Sequence, residues 1–237
     1  MNRGEEGSGH DAVPVICVDG PSGSGKGTIA QRLAEALGFH LLDSGSLYRL
    51  TALAAVHQGA DFDDERALAA VAASMQPNFE PDSEQGLRIR LDGDNVTGAI
   101  RAEEVGMNAS RLAAMPAVRQ ALMQRQRDFR QLPGLVADGR DMGTVIFPDA
   151  VLKVYLTASA EERALRRHNQ LKEKGIGVSL RGLLKDIEAR DAQDEQRQAS
   201  PLKPADDAVV IDSTTLSIAQ VTDQALSLAR ERLRALS

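Results

Sequence analysis

Gly20–Thr28 reads GPSGSGKGT and directly follows the apolar run Val13-Pro-Val-Ile-Cys-Val-Asp19. A strand that ends in a glycine-rich turn opening a helix is the setting in which a phosphate-binding loop works. Gly20, Gly23 and Gly25 have no Cβ, so they can take positive φ and let the backbone approach a ligand closely. Successive N–H groups along Gly20, Pro21, Ser22, Gly23, Ser24, Gly25, Lys26, Gly27 and Thr28 would then form an anion nest, Pro21 contributing shape rather than a donor. The amphipathic helix expected over 26–37, with Ile29, Leu33 and Leu37 on one face, adds unpaired N–H groups and the positive end of its dipole. Lys26 supplies a mobile charge for the β- and γ-phosphates of a nucleoside triphosphate.

One position departs from the common pattern. GxxxxGK is usually followed by Ser or Thr, whose hydroxyl ligates Mg²⁺. Here Gly27 holds that place and Thr28 comes next, which argues against a GTPase switch or a motor ATPase. The GKGT ending is similar to that of nucleoside monophosphate kinases, in which water fills more of the metal shell.

The remaining composition narrows the class. The chain has 237 residues, 42% of them hydrophobic, enough for one domain with insertions and a substantial core. Aromatics make up only 3%, so aliphatic packing must dominate. A formal net charge of −6 disfavours a general nucleic-acid binder, although an arginine cluster can still build a positive cleft. The single cysteine, Cys17, falls in the first strand, where it reads as a small buried hydrophobe in a reducing compartment. His10, His40, His57 and His168 have no metal-ligand spacing. Residues 1–12 read as a disordered tail without a signal-peptide core, and no run is long enough to span a membrane. A cytoplasmic location and a monomer are expected.

Strand-like segments at 13–19, 39–42, 135–138, 150–156 and 208–212 alternate with helix-like segments at 26–37, 45–58, 116–131, 159–174, 179–193 and 217–234. This predicts an α/β fold of the P-loop NTPase type, a parallel sheet with helices on both faces. Asp19, Asp138 and Asp212 close strands, and ligands in such sheets bind beyond the C-terminal strand ends, so Asp19 and Asp138 should flank the site. Residues 61–110 break the alternation, with a helix at about 64–74, runs at 78–80, 87–91 and 95–97, and a hairpin turn at Gly93-Asp94. They are read as an inserted α+β subdomain on a core of 13–60 and 111–237. Gly175-Ile-Gly-Val178 suggests a hinge before a charged helix, and Pro201 and Pro204 mark a return to the core, which makes about 175–204 a lid.

DSGSLYR (Asp43–Arg49) starts a helix that Asp43 or Ser44 can cap, and Ser44 with Arg49 could hold a second anion. In DGRDMGTVIFP (Asp138–Pro148), Arg140 and Asp141 follow the third core strand at the rim where phosphates must lie. Asp186, Arg190, Asp194 and Arg197 share one helical face, a spacing that an exposed ladder of ion pairs would show as well. Met107 and Met115 read as core fillers.

GPSGSGKGT, LLDSGSLYR, GLVADGRDMGTVIFPDA and IEARDAQDEQR, in this order and spacing, resemble bacterial cytidylate kinases from Val13 to Leu233. The resemblance implies phosphoryl transfer from ATP, with Mg²⁺, to CMP or dCMP, and an insertion at 61–110 that binds the monophosphate. It implies that Asp141, with Ser44, Ser110 and Arg119, reads the cytosine edge. Arg49, Arg140 and Arg190 would hold the acceptor phosphate, Asp194 the ribose hydroxyl, and Arg197 would stand close by. Lys26, Arg140 and Arg190 become the catalytic set, and Asp138 would orient metal-bound water. Arg163, Arg166 and Arg167 are candidates for further ATP contacts, Arg166 foremost. Two other readings stay open: a P-loop kinase for UMP, AMP or a small non-nucleotide, and a nucleotide-dependent switch.

Overall fold

The computed structural model describes residues 13–82, 86–173, 175–197 and 200–236, so the expected tail at 1–12 lies outside the described residues. In chain order the first elements are β1 (Val15–Asp19), α1 (Lys26–Leu37), β2 (His40–Asp43), α2 (Ser44–His57) and α3 (Glu65–Ser74). There follow β3 (Pro77–Asp82), β4 (Gly86–Leu91), β5 (Asp94–Asn95), α4 (Glu103–Ala113) and α5 (Pro116–Arg127). The chain ends with β6 (Leu135–Gly139), β7 (Leu152–Thr157), α6 (Ala160–Glu173), α7 (Leu180–Glu195), β8 (Val209–Asp212) and α8 (Ile218–Arg234).

Five strands form one parallel sheet in the order β2-β6-β1-β7-β8. Parallel sheets are covered on both faces, which is why β1 reads as an unbroken apolar run rather than an alternation. Val15 and Cys17 point into one apolar cluster, Ile16 and Val18 into another, and all four are fully buried. The second cluster is closed by Ile29 and Leu33 of α1 with Val221 and Ala225 of α8. The first is closed by Leu47 and Leu50 of α2, Leu112 of α4 and Leu122 of α5. Each fully buried side chain of this size is worth about 1.5–3 kcal/mol.

Within residues 61–110, Leu68, Val71, Ile89, Leu91 and Ile100 belong to the same cluster as Leu135 of the central sheet. β3, β4 and β5 form a separate antiparallel sheet. Its β4–β5 turn corrects the sequence reading. Leu91 pairs with Asp94, so the two turn residues are Asp92 and Gly93, at φ 51° and 96°. Both lie in the left-handed region that a two-residue hairpin of this kind demands, and Asp-Gly is its natural sequence. The run at 95–97 shrinks to Asp94–Asn95, because Thr97 Oγ1 instead accepts the Ile89 N–H at 2.9 Å. The expected helix at 116–131 stops at Arg127; Arg130 turns away to donate to the Val13 carbonyl and to Asp149. Among the described residues, no helix is long and apolar enough to cross a membrane.

Candidate active site

The loop after β1 is held from behind. Gly25 caps α1 at φ 93°, and Lys26 is the first helical residue. If N–H groups face a ligand, the loop carbonyls must find donors elsewhere. Lys26 Nζ donates to the Pro21 carbonyl at 3.3 Å, Arg163 Nη1 to Ser22 at 2.9 Å and Arg166 Nη1 to Ser24 at 3.4 Å. Gly20 is required for packing: a Cβ there would stand 2.0 Å from the Leu156 carbonyl oxygen of β7.

Beside the loop, beyond the ends of β2 and β6, opens a cleft of about 840 Å³ counting its mouth. Ser22 and Lys26 line it from the loop, Ser44 and Arg49 from α2, Ser110 from α4 and Arg119 from α5. Asp138 comes from the end of β6, Arg140 and Asp141 from the segment after it, and Arg190, Asp194 and Arg197 from α7 and its end. The wall carries six basic side chains against four acidic ones, in a chain of net charge −6. Gly20, Pro21, Gly23, Ser24, Gly25, Gly27 and Thr28 do not line this cleft; they form the adjoining loop.

Two arginines meet at Gly106. Arg190 Nη2 donates to the Gly106 carbonyl at 3.1 Å and to Ser110 Oγ at 3.1 Å. Arg49 Nη1 donates to the Ile100 carbonyl at 2.8 Å, and a Cβ on Gly106 would stand 2.8 Å from Arg49 Nη2. Burial and then mutual repulsion lower the pKa of Arg49; for Arg190 burial and then Arg140 do the same. Clustered, partly desolvated cations of this kind favour a dianion between them.

The far end of the cleft is neutralised internally. Arg119 Nη2 pairs with Asp141 while Arg119 Nη1 donates to Tyr48 Oη at 3.4 Å, and all three side chains are buried. Burial raises the Tyr48 phenol to about 12. Ser44 Oγ donates to Gln126 Oε1 at 2.8 Å. On the α7 side, Arg140 Nε donates to Asp194 at 2.5 Å, and Arg197 lies 3.9 Å from the other Asp194 oxygen.

Between the two ends stand Asp138 and Lys26. Burial lifts the Asp138 carboxyl towards neutrality and lowers the Lys26 ammonium, each partly offset by the other's charge. Asp138 Oδ1 is buried and has no hydrogen-bond partner, which leaves a lone pair for a ligand or its water. Among the described residues, no group of three or more His, Cys, Asp or Glu could hold a metal by itself. A Mg²⁺ would therefore have to arrive on phosphate and keep water, and the unpartnered Asp138 oxygen could accept from that water.

Several expectations need correction. Asp19 does not line the cleft. Its carboxylate accepts the N–H groups of Met142 (2.9 Å) and Gly143 (2.8 Å), fixing the π-helical turn Met142–Ile146 that follows Arg140 and Asp141. Burial raises its pKa to about 6 against these hydrogen bonds. Arg166 stands behind the loop, bonded to Glu162, Ser24 and Ser213, and Arg167 pairs with Glu103. Asp186 is exposed, so the proposed face of α7 turns inward only from Arg190 onward. Met107 is 57% exposed and is no core filler, whereas Met115 packs against the core.

Sequence reasoning missed Tyr48 and Gly106 in the wall and Gln126 behind Ser44. Tyr48 lies inside DSGSLYR, three residues before Thr51 on a face that is otherwise core, and its phenol gave the available signal. Gln126 offers none, being 82 positions from Ser44.

The sequence matches the family model described as cytidylate kinase over residues 16–231. A relative from Pseudomonas aeruginosa named cytidylate kinase is 59% identical over 213 residues, 90% of this chain and 93% of its own. One of the same name from Pseudomonas syringae pv. tomato is 60% identical over 91% of this chain and 94% of its own. Another from Photobacterium profundum is 53% identical over 93% and 96%. The motifs at Gly20–Thr28, Asp43–Arg49 and Asp138–Pro148 converge on one cleft in a chain matched almost end to end. This chain belongs to the cytidylate kinase family.

Proposed function

We propose that the chain moves the γ-phosphoryl group of ATP onto CMP or dCMP, giving ADP and CDP or dCDP, through the residues of this one cleft. The observation that carries the reading is its polarity: Arg49 and Arg190 meet at Gly106 with only the exposed Glu103 carboxylate nearby, 4.0 Å from Arg190, while the opposite end presents the buried Asp141–Arg119 pair. The first end suits a phosphate dianion. The second offers an acceptor beside a donor, which complements the N4 amino group and the N3 and O2 acceptors of cytosine. Uracil would turn its O4 acceptor towards the Asp141 carboxylate. Leaving buried polar groups unpaired costs about 1–3 kcal/mol each.

ATP would lie with its phosphates on Gly20–Thr28 and Lys26. An acceptor phosphate oxygen attacks the γ-phosphorus in line; the new P–O bond forms as the bond to the β–γ bridging oxygen breaks, and ADP leaves with that electron pair. The attacking oxygen is ionised near neutral pH, so no general base is needed. Charge on the equatorial and leaving oxygens is met by Lys26, loop N–H groups, Arg140 and Arg190. Bound Mg²⁺ would supply charge that neutralises the phosphates, and Asp138 is the residue that would orient its water. Arg140 donates to Asp194 through Nε, and its terminal nitrogens would serve the phosphate. Helix α7, carrying Arg190 and Asp194, would act as the lid that keeps bulk water from accepting the phosphoryl group. Asp194, between Arg140 and Arg197, would also accept from the ribose hydroxyl.

A coupled ADP-release assay across CMP, dCMP, UMP, AMP and shikimate tests the reading. CMP and dCMP should support turnover, with UMP at least tenfold slower in kcat/KM. Preference for AMP or shikimate, or hydrolysis without an acceptor, would overturn it.

A further inference from the structure

Arg190 and Asp191 are consecutive residues of α7 that engage opposite halves of the site. Arg190 reaches Gly106 and Ser110 on the acceptor side. The Asp191 carboxylate takes both terminal nitrogens of Arg163, with Oδ1 at 3.0 Å from Nη1. Arg163 is 4% exposed. Its Nε donates to the Ala158 carbonyl at 3.0 Å, and Nη1 also donates to the Ser22 carbonyl of the phosphate loop at 2.9 Å. The guanidinium is therefore committed to protein on three sides and buttresses the loop from behind. Its side chain also lies against Gly23, where a Cβ would be 3.4 Å from Arg163 Cβ.

The attachment of α7 gives this contact leverage. Asp194 is the only buried residue along α7. Its apolar residues Leu183, Leu184 and Ile187 are only half-buried, so the C-terminal half of the helix is seated mainly by polar contacts through Arg190, Asp191 and Asp194, and a lid held this way can be lifted at modest cost. Lifting it removes the counter-ion of a buried guanidinium. Arg163 must then follow Asp191 and release Ser22, or stay without compensation in a site where an unpaired charge is unfavourable. Either way the loop that grips the donor phosphates feels the position of the helix that grips the acceptor.

We infer that Asp191 is a positioning residue whose pairing with Arg163 couples acceptor binding on α7 to the donor affinity of the Gly20–Thr28 loop. This rests on the proposed acceptor reading and goes beyond it. Arg163 is here a strut between lid and loop.

The test is calorimetric titration of β,γ-imido-ATP with Mg²⁺, with and without saturating CMP. In the wild-type protein CMP should tighten the analogue at least fivefold, the lower end of ordinary coupling. In Asp191→Asn that ratio should fall below about twofold, with the Kd of CMP alone changed less than about threefold. Asp191→Glu should restore part of it. Arg163→Lys, which keeps a cation but cannot span Ser22 and Ala158, reads the same ratio should Asp191→Asn fold poorly. Asp186→Asn, exposed on the same helix, should leave the ratio intact. A purely structural role for Asp191 would weaken the analogue equally in both conditions. An unchanged ratio in Asp191→Asn, or no coupling in the wild-type protein, overturns the inference. Failure of CMP to bind the wild-type protein at all would instead overturn the acceptor reading beneath it.

Discussion

A Cβ built on Gly27 would stand 3.1 Å from Oδ2 of Asp138, closer than side-chain carbons normally come to a carboxylate. The residue that broke the expected loop pattern therefore makes room for an acid from the next strand of the sheet. Where a hydroxyl usually follows GK, the buried Asp138 carboxylate occupies the space beside Gly27. Gly27→Val should lower kcat at least tenfold by displacing Asp138, with Gly27→Ala less affected because one methyl can be accommodated by a small shift. Steady-state ADP release on the two variants checks this; equal, wild-type rates for both would refute it.

Lys26 faces the same carboxylate, and burial already lowers its pKa. Lys26→Ala should reduce kcat by at least two orders of magnitude, because a full charge on the transferring group is lost at the transition state. The circular dichroism melt should remain cooperative.

Burial holds the Asp138 carboxyl near 7 instead of the ordinary 3.8. The folded protein keeps this proton when the unfolded chain has released it. The resulting stability is fully present below about pH 4 and is lost as the pH rises through 7. Asp138→Asn removes that dependence. Its melting temperature relative to wild type should rise between pH 5 and pH 8, by the equivalent of about 1–3 kcal/mol after allowance for Lys26. Activity should fall at every pH. Parallel melting curves across the range would show that the carboxyl is not held up.

Gly106 leaves no space for a Cβ beside Arg49. The atom in the way is the end of a flexible side chain, so Gly106→Ala should move the guanidinium and spare the fold. KM for CMP should rise at least fivefold, with KM for ATP changed less than twofold. A variant with both constants unchanged would remove Arg49 from the acceptor phosphate.

Asp194 is buried between Arg140 and Arg197. Asp194→Asn should lower kcat for both pyrimidine acceptors, since Arg140 loses its counter-ion. The added rise in KM should be at least threefold larger for CMP than for dCMP if Asp194 accepts from the ribose hydroxyl. Equal rises would leave it only the role of holding Arg140.

The parts of the site that were legible in the sequence are those whose chemistry is local. Gly20–Thr28, Asp43–Arg49 and Asp138–Pro148 each carry an unusual composition at a strand end, and the parallel sheet follows from the apolar runs that precede them. Helix α4 was not foreseen, because its buried positions Gly106, Ala109 and Leu112 are mostly too small to mark an apolar stripe. The Arg163, Arg166 and Arg167 trio shows why direction is harder than identity. One helix presents three cations within five residues, and only packing sends the first two to the back of the loop and the third to Glu103. What Asp19 does beside the site was hidden for the same reason: its strand-end position was plain, but the backbone N–H groups it accepts come from more than 120 residues away.

The two apolar clusters on opposite faces of the sheet divide the molecule by ownership. Lys26 rides on α1, rooted in the cluster of Ile29, Leu33 and Val221, whereas Arg49, Ser110 and Arg119 ride on helices rooted in that of Leu50, Leu112 and Leu122. On the proposed reading, acceptor choice and donor grip would thus rest on separate foundations. Evolution, or a protein engineer, could remodel the acceptor-side foundation to admit a different base while leaving the ground beneath Lys26 undisturbed.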